Sequence, residues 1–278
     1  MSFIDTDREL TRHSYYAATA PRPQVFSPLP AGESACDVAV VGGGLAGLSA
    51  AIELRERGLA VTLLEAQHIG HGASGRNGGQ AIYGLACDIT TIEDQLGREA
   101  ARQVFAMSLE AIDLIRQRIA RFAIDCDWRE GYLGVATNQR KARALRDEVE
   151  LLAERYDHAL TWVAQSDLPQ WIDSPRYVAA AHDPRSGHLH PLKYTLGLAR
   201  AAAALGVSLH EGSAVSGLHK DAAGVRLTTT HGAPLRARTR SRSRARVWWA
   251  RRSPATRPTA STRSSAACAR RGRGSATR

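Results

Sequence analysis

Three glycines followed by a glutamate are the residues whose types and spacing most directly suggest chemistry. Gly42, Gly44 and Gly47 fit the pattern GxGxxG, and Glu65 lies 18 residues past the last glycine. The first glycine permits a tight turn, the second lets a pyrophosphate approach the backbone, and the third lets a helix pack against a strand. Amide N–H groups at the helix start would receive phosphates. The glutamate would bind ribose hydroxyls and repel a 2′-phosphate, which disfavours NADP.

The elements around these residues are the ones that this chemistry requires. Residues 37–41 form a short apolar run rich in β-branched side chains, which predicts a buried parallel strand. Apolar residues fall on one face of residues 44–57, so we expect a helix that ends at Gly58. Residues 60–65 predict a second strand and complete a βαβ unit. An ordinary glycine-rich turn with a surface glutamate is the alternative interpretation.

A second glycine-rich loop, GHGASGRNGGQ, follows at residues 70–80, where five of eleven residues are glycine. A plain nicotinamide-binding dehydrogenase has no evident need for a flexible loop so soon after the ribose carboxylate. The loop therefore indicates a larger dinucleotide.

The rest of the chain predicts an inserted domain and then a return to the first one. The insertion begins with a long amphipathic helix, continues with a pair of strands and ends with a charged helix. The return consists of an Ala/Leu-rich helix and two short strands. In chain order these elements are expected at residues 95–122, 127–137, 138–156, 192–205, 207–210 and 225–230.

Several strings of this sequence closely resemble FAD-dependent amine and amino-acid oxidoreductases of the D-amino-acid-oxidase superfamily, and within it the gamma-glutamylputrescine oxidoreductase branch. The GASGRNGGQ string is the most specific of them. The matching strings are SYYAAT (14–19), DVAVVGGGLAGLSAA (37–51), VTLLEA (61–66), GASGRNGGQ (72–80), HPLKYTLGLARAA (190–202) and GVSLHEGSAV (206–215).

The resemblance implies an α/β fold: a Rossmann-like FAD-binding domain with an inserted α+β substrate domain, incomplete at the C-terminus. The implied order is an N-terminal arm, a first part of the FAD-binding domain, a helix with the substrate-domain insertion, a second part of the FAD-binding domain and a tail. These segments are expected at residues 1–35, 36–95, 96–185, 186–235 and 236–278.

The resemblance also assigns cofactor-binding roles to individual residues. It places the three motif glycines at the FAD pyrophosphate, Glu65 at the adenosine ribose, and the backbone of Val215 at the adenine. The second loop would run past the pyrophosphate toward the isoalloxazine, with Ser74, Arg76, Asn77, Gly78 and Gly79. Some relatives attach the flavin through a histidine near this loop. Asn77 stands in that place and cannot form the bond, so we expect non-covalent FAD, although His71 lies nearby in sequence.

The implied reaction is transfer of a hydride equivalent from the carbon that bears an amine to the flavin. The resulting imine hydrolyses to an aldehyde or keto acid, and oxygen commonly reoxidises the cofactor. The cofactor supplies this chemistry, so no general base is obligatory. His190, Lys193 and Tyr83 are polar candidates, but a structural role is favoured for each of them, and we assign no catalytic residue.

Other patterns set limits on the class of protein. The run AAHDPRSGHLHP places His182, His188 and His190 close together, but its proline and glycine predict a turn, and we expect no metal site. The four cysteines form no CxxC pair, and the N-terminus lacks an apolar signal region, so a cytoplasmic protein is expected. Residues 38–52 are uncharged but too short to cross a bilayer, and no membrane partner is expected.

The formal charge of +10 originates at one end of the chain. Residues 236–278 hold 14 of the 37 basic residues, all of them Arg, and none of the 27 acidic residues, so the rest of the chain is mildly acidic. Ser, Ala, Thr and Arg dominate this segment, and such a composition cannot offset the entropy of ordering a chain. We therefore expect a disordered Arg-rich tail.

Three origins of the tail remain open: a basic arm that attracts nucleic acid, a solubilising tail, and a reading-frame slip in a GC-rich gene. The absence of an RNA-binding motif disfavours nucleic acid as a partner. Two functions follow. The first is an FAD-dependent amine oxidoreductase that acts on a small amine with oxygen as acceptor. The second is a catalytically incomplete fragment whose tail binds polyanions nonspecifically.

Overall fold

The computed structural model describes residues 14–238 and 246–249 of the chain. The first elements are a short helix, two strands, a helix and a strand: α1 (Tyr15–Thr19), β1 (Ser34–Cys36), β2 (Val38–Val41), α2 (Leu45–Glu56) and β3 (Val61–Leu64). The middle of the chain contains β4 (Gln80–Ala81), α3 (Ile89–Leu96), α4 (Arg98–Arg121), β5 (Arg129–Ala136), α5 (Gln139–Tyr156), β6 (Thr161–Val163) and β7 (Ala179–His188). The last elements are α6 (Pro191–Ala204), β8 (Ser208–His210), β9 (Val215–Asp221), β10 (Gly224–Thr229), β11 (Pro234–Arg238) and β12 (Arg246–Trp249).

A four-stranded parallel sheet with the order β12-β2-β3-β8 forms the centre of the fold. Successive side chains of a strand point to opposite faces, so each strand divides its apolar residues between two cores. Val40 and Leu63 point to the face that α2 and α6 cover, where they are buried with Leu48 and Leu198. This arrangement explains why β2 and β3 are apolar at nearly every position.

The other face of the parallel sheet packs against a second sheet with the order β1-β11-β10-β9. Ala39 and Leu64 from the parallel sheet meet Leu227 and Leu235 from the second sheet, and all four are at most 1% exposed. Truncation of either of these second-sheet leucines to alanine would cost on the order of 2–5 kcal/mol. The second sheet therefore belongs to the core that supports the central strands.

A third sheet is antiparallel and lies in the middle of the chain. Strand β7 is its centre, with β5 along one side and both β4 and β6 along the other. Helices α4 and α5 cover one face, where Phe105, Leu152 and Tyr156 pack on Ala181. The guanidinium of Arg118 in α4 donates to Ser49 Oγ at 2.7 Å, which ties this region to α2.

The fold is the α/β arrangement that the sequence predicts, and its βαβ unit lies at the predicted place. The long helix predicted over residues 95–122 is confirmed as α4, which begins three residues later because Gly97, at φ +81°, separates it from α3. One element prediction is wrong. Residues 127–137 are not a pair of strands but the single strand β5, whose hydrogen-bonding partner, β7, lies about fifty residues further along the chain.

The turn predicted around His182 and His188 is also wrong, because both residues lie in β7. The proline between them is accommodated in a register shift of the ladder, opposite Gly131, whose φ is +91°. At a bulge a residue without an N–H group breaks no ladder hydrogen bond.

A disordered tail was expected from residue 236 onward, but strands occupy residues 236–238 and 246–249. The physical reason lies in an alternation within β11. Leu235 and Ala237 are fully buried, while Arg236 points away and pairs with Asp221 and Glu33. Residues 1–13, 239–245 and 250–278 lie outside the described part of the chain, and the remaining expectations about the tail fall there.

The proposed domain boundaries do not coincide with the sheets. Strand β4 falls in the segment expected to be the first part of the FAD-binding domain, yet it pairs with β7. Strand β7 itself crosses the boundary proposed between residues 185 and 186. The third sheet is thus assembled from both sides of the expected insertion.

His190 connects the first helix to α6. Its Nδ1 accepts the N–H of Lys193 as the N-cap of α6, and its Nε2 lies 2.9 Å from Thr19 Oγ1. The hydroxyl of Thr19 donates to the Tyr15 carbonyl, so the imidazole is the donor in the second contact. The neutral ring with its proton on Nε2 therefore satisfies both partners. Burial, followed by the charge of Lys193, lowers the pKa of His190.

Replacement of His190 tests this connection. We expect His190→Ala to lose about 1 kcal/mol of stability for the helix cap, whereas His190→Asn keeps an oxygen that can accept from Lys193. The lowered pKa means that the contribution is present above about pH 6.5, the ordinary histidine value, and is lost as the pH falls through the lowered pKa. The advantage of wild type over His190→Asn should therefore shrink in acid. Urea unfolding at several pH values measures both effects, and equal stability of wild type and His190→Ala at pH 7.5 would contradict the assignment.

Candidate functional site

The turn between β2 and α2 presents bare backbone at the carboxyl edge of the parallel sheet. Gly42 has φ +107°, a backbone conformation that residues other than glycine rarely adopt. Gly44 is the N-cap of α2 in an extended conformation and provides no capping side chain. Gly47 is buried in the first turn of the helix. The N–H groups at this helix end must therefore find partners outside the helix.

Two N–H groups of this turn, one just before the N-cap and one at the first helical residue, are bound by side chains from other segments. Glu65, just past β3, accepts the N–H of Gly43 at 2.6 Å with one carboxylate oxygen and the N–H of Gln67 at 2.9 Å with the other. Ser74 Oγ accepts the N–H of Leu45 at 3.0 Å. Both side chains were predicted as site residues, and the structure brings them together at the start of α2. Gly43 was not predicted, although it is the central residue of the GGG triplet.

There is no space for side chains at this turn. A Cβ on Gly44 would lie 2.7 Å from Ser74 Oγ, and one on Gly43 would lie 2.4 Å from Ile69 Cδ1. Real Cβ atoms are essentially never this close to another heavy atom. The turn thus packs closely against Ile69 and Ser74, which requires glycine at both positions, and we call this turn together with Glu65 and Ser74 the cradle.

The second glycine-rich loop is shaped by the side chain of Asn77. Its Nδ2 donates to the carbonyls of Ala73 at 3.0 Å and Ser74 at 3.2 Å, and its Oδ1 accepts the N–H of Gly79 at 2.8 Å. The amide thus clamps the loop upon itself. Gly78 is exposed, while Gly79 is buried with φ +72° against the backbone of Leu189.

Helix α6 packs against this loop through Thr195 and Leu192, two residues that were not predicted from the sequence. Thr195 is fully buried and its hydroxyl lies 3.2 Å from the carbonyl of Ser74 and 2.8 Å from that of Pro191. Leu192 Cδ1 would lie 3.0 Å from a Cβ on Gly70 or on Gly75. The string HPLKYT could have indicated these residues, because it begins a helix directly after a strand.

Val215 lies at the same edge of the parallel sheet. The N–H of Glu65 donates to His210, the last residue of β8, and the N–H of Ser213 donates back to Glu65, each at 2.8 Å. Val215 follows two residues later as the first residue of β9 and packs against the same core cluster as Val41. The predicted adenine-side and ribose-side residues are therefore neighbours.

A group of basic side chains adjoins the cradle. We call Arg22, His68, His71 and Arg76 the basic cluster. The imidazoles of His68 and His71 meet edge to face with their centroids 4.7 Å apart. Burial, then the charges of Arg22, His71 and Arg76, lowers the pKa of His68 to about 4. A local positive potential of this kind favours an anionic ligand.

A cavity of about 510 Å³ lies between the third sheet and helices α3, α4 and α5. Its walls carry three aromatic rings and three carboxylates, namely Tyr83, Phe105, Tyr132, Asp88, Asp147 and Glu148. Tyr83 shares a hydrogen bond with Glu148, and burial followed by the charge of Asp88 raises the pKa of Glu148. The cavity begins at Ile82, three residues past Gly79.

The histidines considered as metal ligands are separated in the fold. His182 stacks on Trp171 with ring centroids 4.6 Å apart, His188 ends β7, and His190 caps α6. Across residues 14–238 and 246–249, no group of three or more histidine, cysteine or acidic side chains is arranged to hold a metal ion. In the same part of the chain, no helix combines the length and apolar character needed to span a bilayer.

The residues of the cradle fit a dinucleotide. The backbone approach at Gly43 and Gly44, the hydroxyl of Ser74 and the half-buried carboxylate of Glu65 match the needs of a pyrophosphate and a ribose. Each oxygen of Glu65 retains a lone pair for a further donor. The Ser74 hydroxyl has a proton that can donate to a phosphate oxygen.

Comparison with known proteins supports the same ligand. A sequence profile described as FAD dependent oxidoreductase matches residues 37–241. Over 210 residues the chain is 41% identical to the gamma-glutamylputrescine oxidoreductase of Escherichia coli K12, and the match covers 74% of this chain and 49% of that protein. The chain spans about half the length of the curated relatives it matches.

Solved structures share the fold. The L-amino acid deaminase of Proteus myxofaciens, solved in complex with anthranilate, superposes with a TM-score of 0.65 at 23% identity, covering 83% of this chain and 48% of that one. The glycine oxidase of Geobacillus kaustophilus superposes with a TM-score of 0.61 at 23% identity, covering 78% and 55%.

Two neighbouring glycines of the second loop provide a matched test of its geometry. A Cβ on Gly79 would lie 2.0 Å from the Leu189 carbonyl oxygen at a positive φ, whereas one on Gly78 would meet only the end of the Gln80 side chain at 2.9 Å. We expect Gly79→Ala to cost on the order of 1–3 kcal/mol and Gly78→Ala to cost less than about 0.5 kcal/mol. Chemical denaturation of both variants gives the comparison. Equal losses would show that the backbone contact at Gly79 does not shape the loop.

Proposed function

The chain belongs to the family of FAD dependent oxidoreductases, and from this membership we propose that it binds FAD non-covalently and oxidises an amine or amino acid. The observation that carries the proposal is the convergence of Glu65 and Ser74, from two separate segments, on the N–H groups of Gly43 and Leu45, which flank the N-cap of α2. A helix N-terminus with a bare glycine turn is the physical requirement for a dinucleotide pyrophosphate.

We assign each part of the cofactor to residues of the cradle. The turn at Gly42 and Gly44 and the Ser74 hydroxyl hold the pyrophosphate, and close packing at Gly47 brings α2 near enough for its N–H groups to reach it. Glu65 binds the adenosine ribose and the backbone at Val215 borders the adenine. The Gly78–Gly79 segment leads toward the flavin ring.

Two side chains of the second loop have different proposed roles. The polar atoms of Asn77 are bound within the loop, so its role is to hold the loop in the shape that passes the cofactor. An amide also offers no nucleophile to a flavin, which supports non-covalent attachment. Arg76, in the basic cluster, offers its positive charge to the pyrophosphate.

FAD held by these residues would supply the redox chemistry, namely acceptance of a hydride equivalent from the carbon that bears the substrate amine. The protein's part is to hold the neutral amine with its C–H bond toward the ring and to exclude competing orientations. Hydrolysis of the imine then gives an aldehyde or keto acid. We propose oxygen as the electron acceptor that completes the cycle.

The acidic cavity supports a cationic amine as the substrate class. Carboxylates and aromatic faces both attract ammonium groups, and Asp147 and Glu148 lie on the same wall of α5. The carboxylates do not converge on one point as metal ligands do, so an extended molecule with separated charges fits them better than a metal ion. A gamma-glutamylputrescine-like amine has this character.

Reconstitution with FAD tests the proposed function in two separable steps. The purified chain mixed with FAD should acquire a perturbed flavin absorption spectrum that survives gel filtration and is released by denaturation. Anaerobic addition of gamma-glutamylputrescine or a simpler amine should then bleach the visible absorption band of the flavin. A colourless protein after reconstitution would refute FAD binding, and bound flavin that no amine bleaches would refute amine oxidation by this chain.

Charge removal in the cavity tests the substrate class. We expect the double variant Asp147→Asn/Glu148→Gln to weaken putrescine binding about tenfold, since an exposed charge pair contributes up to about 1 kcal/mol. Titration calorimetry with putrescine measures this change directly. Glu154→Gln is the matched control, because Glu154 is an exposed carboxylate of the same helix outside the cavity. An equal effect of the control, or no effect of the double variant, would contradict recognition of the amine in this cavity.

A further inference from the structure

The N-terminal arm, residues 14–36, precedes the segment that the family profile matches. It is fixed along the edge of the parallel sheet by specific hydrogen bonds. The N–H of Phe26 donates to Glu211 Oε2 at 3.2 Å, and the N–H of Leu29 donates to Ser213 Oγ at 2.9 Å. Arg22 Nη1 donates to the carbonyl of Ile69 at 3.0 Å. The arm thus presents Arg22 at a defined place.

The guanidinium of Arg22 is half-buried, and this burial lowers its pKa, an effect that the charge of Glu211 opposes. Glu211 is itself 9% exposed and also accepts the N–H groups of Phe26 and Ile69. A buried cation is stable only when it is paired and hydrogen-bonded. One carboxylate shared with two N–H groups offers limited compensation.

Other members of the basic cluster lie near Arg22. The charges of Arg22, His71 and Arg76 all act on the ring of His68, so the four side chains of the basic cluster share one neighbourhood. Two guanidinium groups, those of Arg22 and Arg76, attract an anion at this place, while the lowered pKa of His68 leaves that ring neutral at pH 7. The arrangement is therefore the one expected beside an anionic ligand.

The basic cluster borders the glycine turn. Gly70, between His68 and Arg76 in the chain, donates its N–H to the carbonyl of Gly43 at 3.1 Å. Ile69, which holds Arg22, also abuts Gly43 at the position a Cβ would occupy. Arg76 lies two residues past Ser74, whose hydroxyl is bound at the start of α2.

We propose that Arg22 is a further cofactor-binding residue: the arm places its guanidinium in the basic cluster beside the glycine turn, where it helps to neutralise the pyrophosphate of the dinucleotide. This inference rests on the proposed function, since it needs the cradle to bind FAD. It goes beyond that function because it assigns a ligand-binding role to the arm, outside the residues that the family profile matches. In the competing explanation, Arg22 serves only to fasten the arm to Ile69.

The test compares ligands with and without a pyrophosphate. Wild type and Arg22→Met are titrated with FAD, ADP and adenosine by calorimetry. We expect Arg22→Met to weaken FAD and ADP binding at least tenfold and to leave adenosine binding within twofold. Arg57→Met is the matched control, because Arg57 is exposed at the opposite end of α2 and its loss changes the net charge equally. The control should leave all three affinities unchanged.

Two further readouts separate ligand binding from a structural role. The affinity of wild type for ADP should fall as salt rises, because salt screens charge interactions, and this dependence should be weaker in Arg22→Met. Arg22→Lys keeps the charge and should recover most of the ADP affinity. Thermal melting of each variant identifies any general loss of folding.

The outcomes distinguish the inference from the proposed function. Equal ADP affinity of wild type and Arg22→Met, or equal weakening of ADP and adenosine, would overturn the role of Arg22 while leaving the cradle intact. If Arg22→Met does not fold, the decision falls to Arg22→Lys, which keeps the positive charge. The proposal is overturned if Arg22→Lys has the melting temperature and the salt dependence of wild type but binds ADP tenfold more weakly. A wild-type chain that binds neither FAD nor ADP refutes the proposed function and this inference with it.

Discussion

The first N–H groups of α2 need acceptors, and this requirement organises the whole site. No helical residue can satisfy them, and Gly44 has no side chain to do so. Ser74 accepts the N–H of Leu45, the first helical residue, from about 30 residues away, and Glu65 accepts the N–H of Gly43, just before the N-cap, from about 20 residues away. A serine hydroxyl and a carboxylate can also bind a ligand at the same time. The interactions that complete the helix are therefore the ones that define the cradle.

The cradle depends on support that lies well outside its motifs. Thr195 and Leu192 of α6 hold the second loop from below, and Asn77 closes that loop upon itself. The arm and Glu211 hold the segment that leads into the loop. These contacts fix the backbone that surrounds the glycine turn. Preorganisation of this kind reduces the free energy that ordering would otherwise cost when a ligand binds.

The βαβ unit and its glycine pattern were predictable because they depend on local requirements: a buried strand, a tight turn and a helix start. The same reasoning failed where long-range pairing decides the structure. The sequence around His182 predicts a turn, yet these residues form strand β7 because they hydrogen-bond to β5 and β6. A bulge accommodates the proline of this segment. Residues 236–238 read as part of a disordered tail, yet Leu235 and Ala237 complete a buried sheet. Local composition carries no information about a partner strand elsewhere in the chain.

The amino-acid sequence by itself determined the class of ligand and the family, because a GxGxxG turn, a following glutamate and the GASGRNGGQ string are local features with specific chemistry. Only the tertiary structure decided which predicted residues act together. It showed that Asn77 is bound within its own loop, that Glu65 contacts Gly43, and that Arg22 reaches a basic cluster some fifty residues away. The physical reason is that burial and hydrogen-bond partners are properties of the packed chain, not of sequence neighbours.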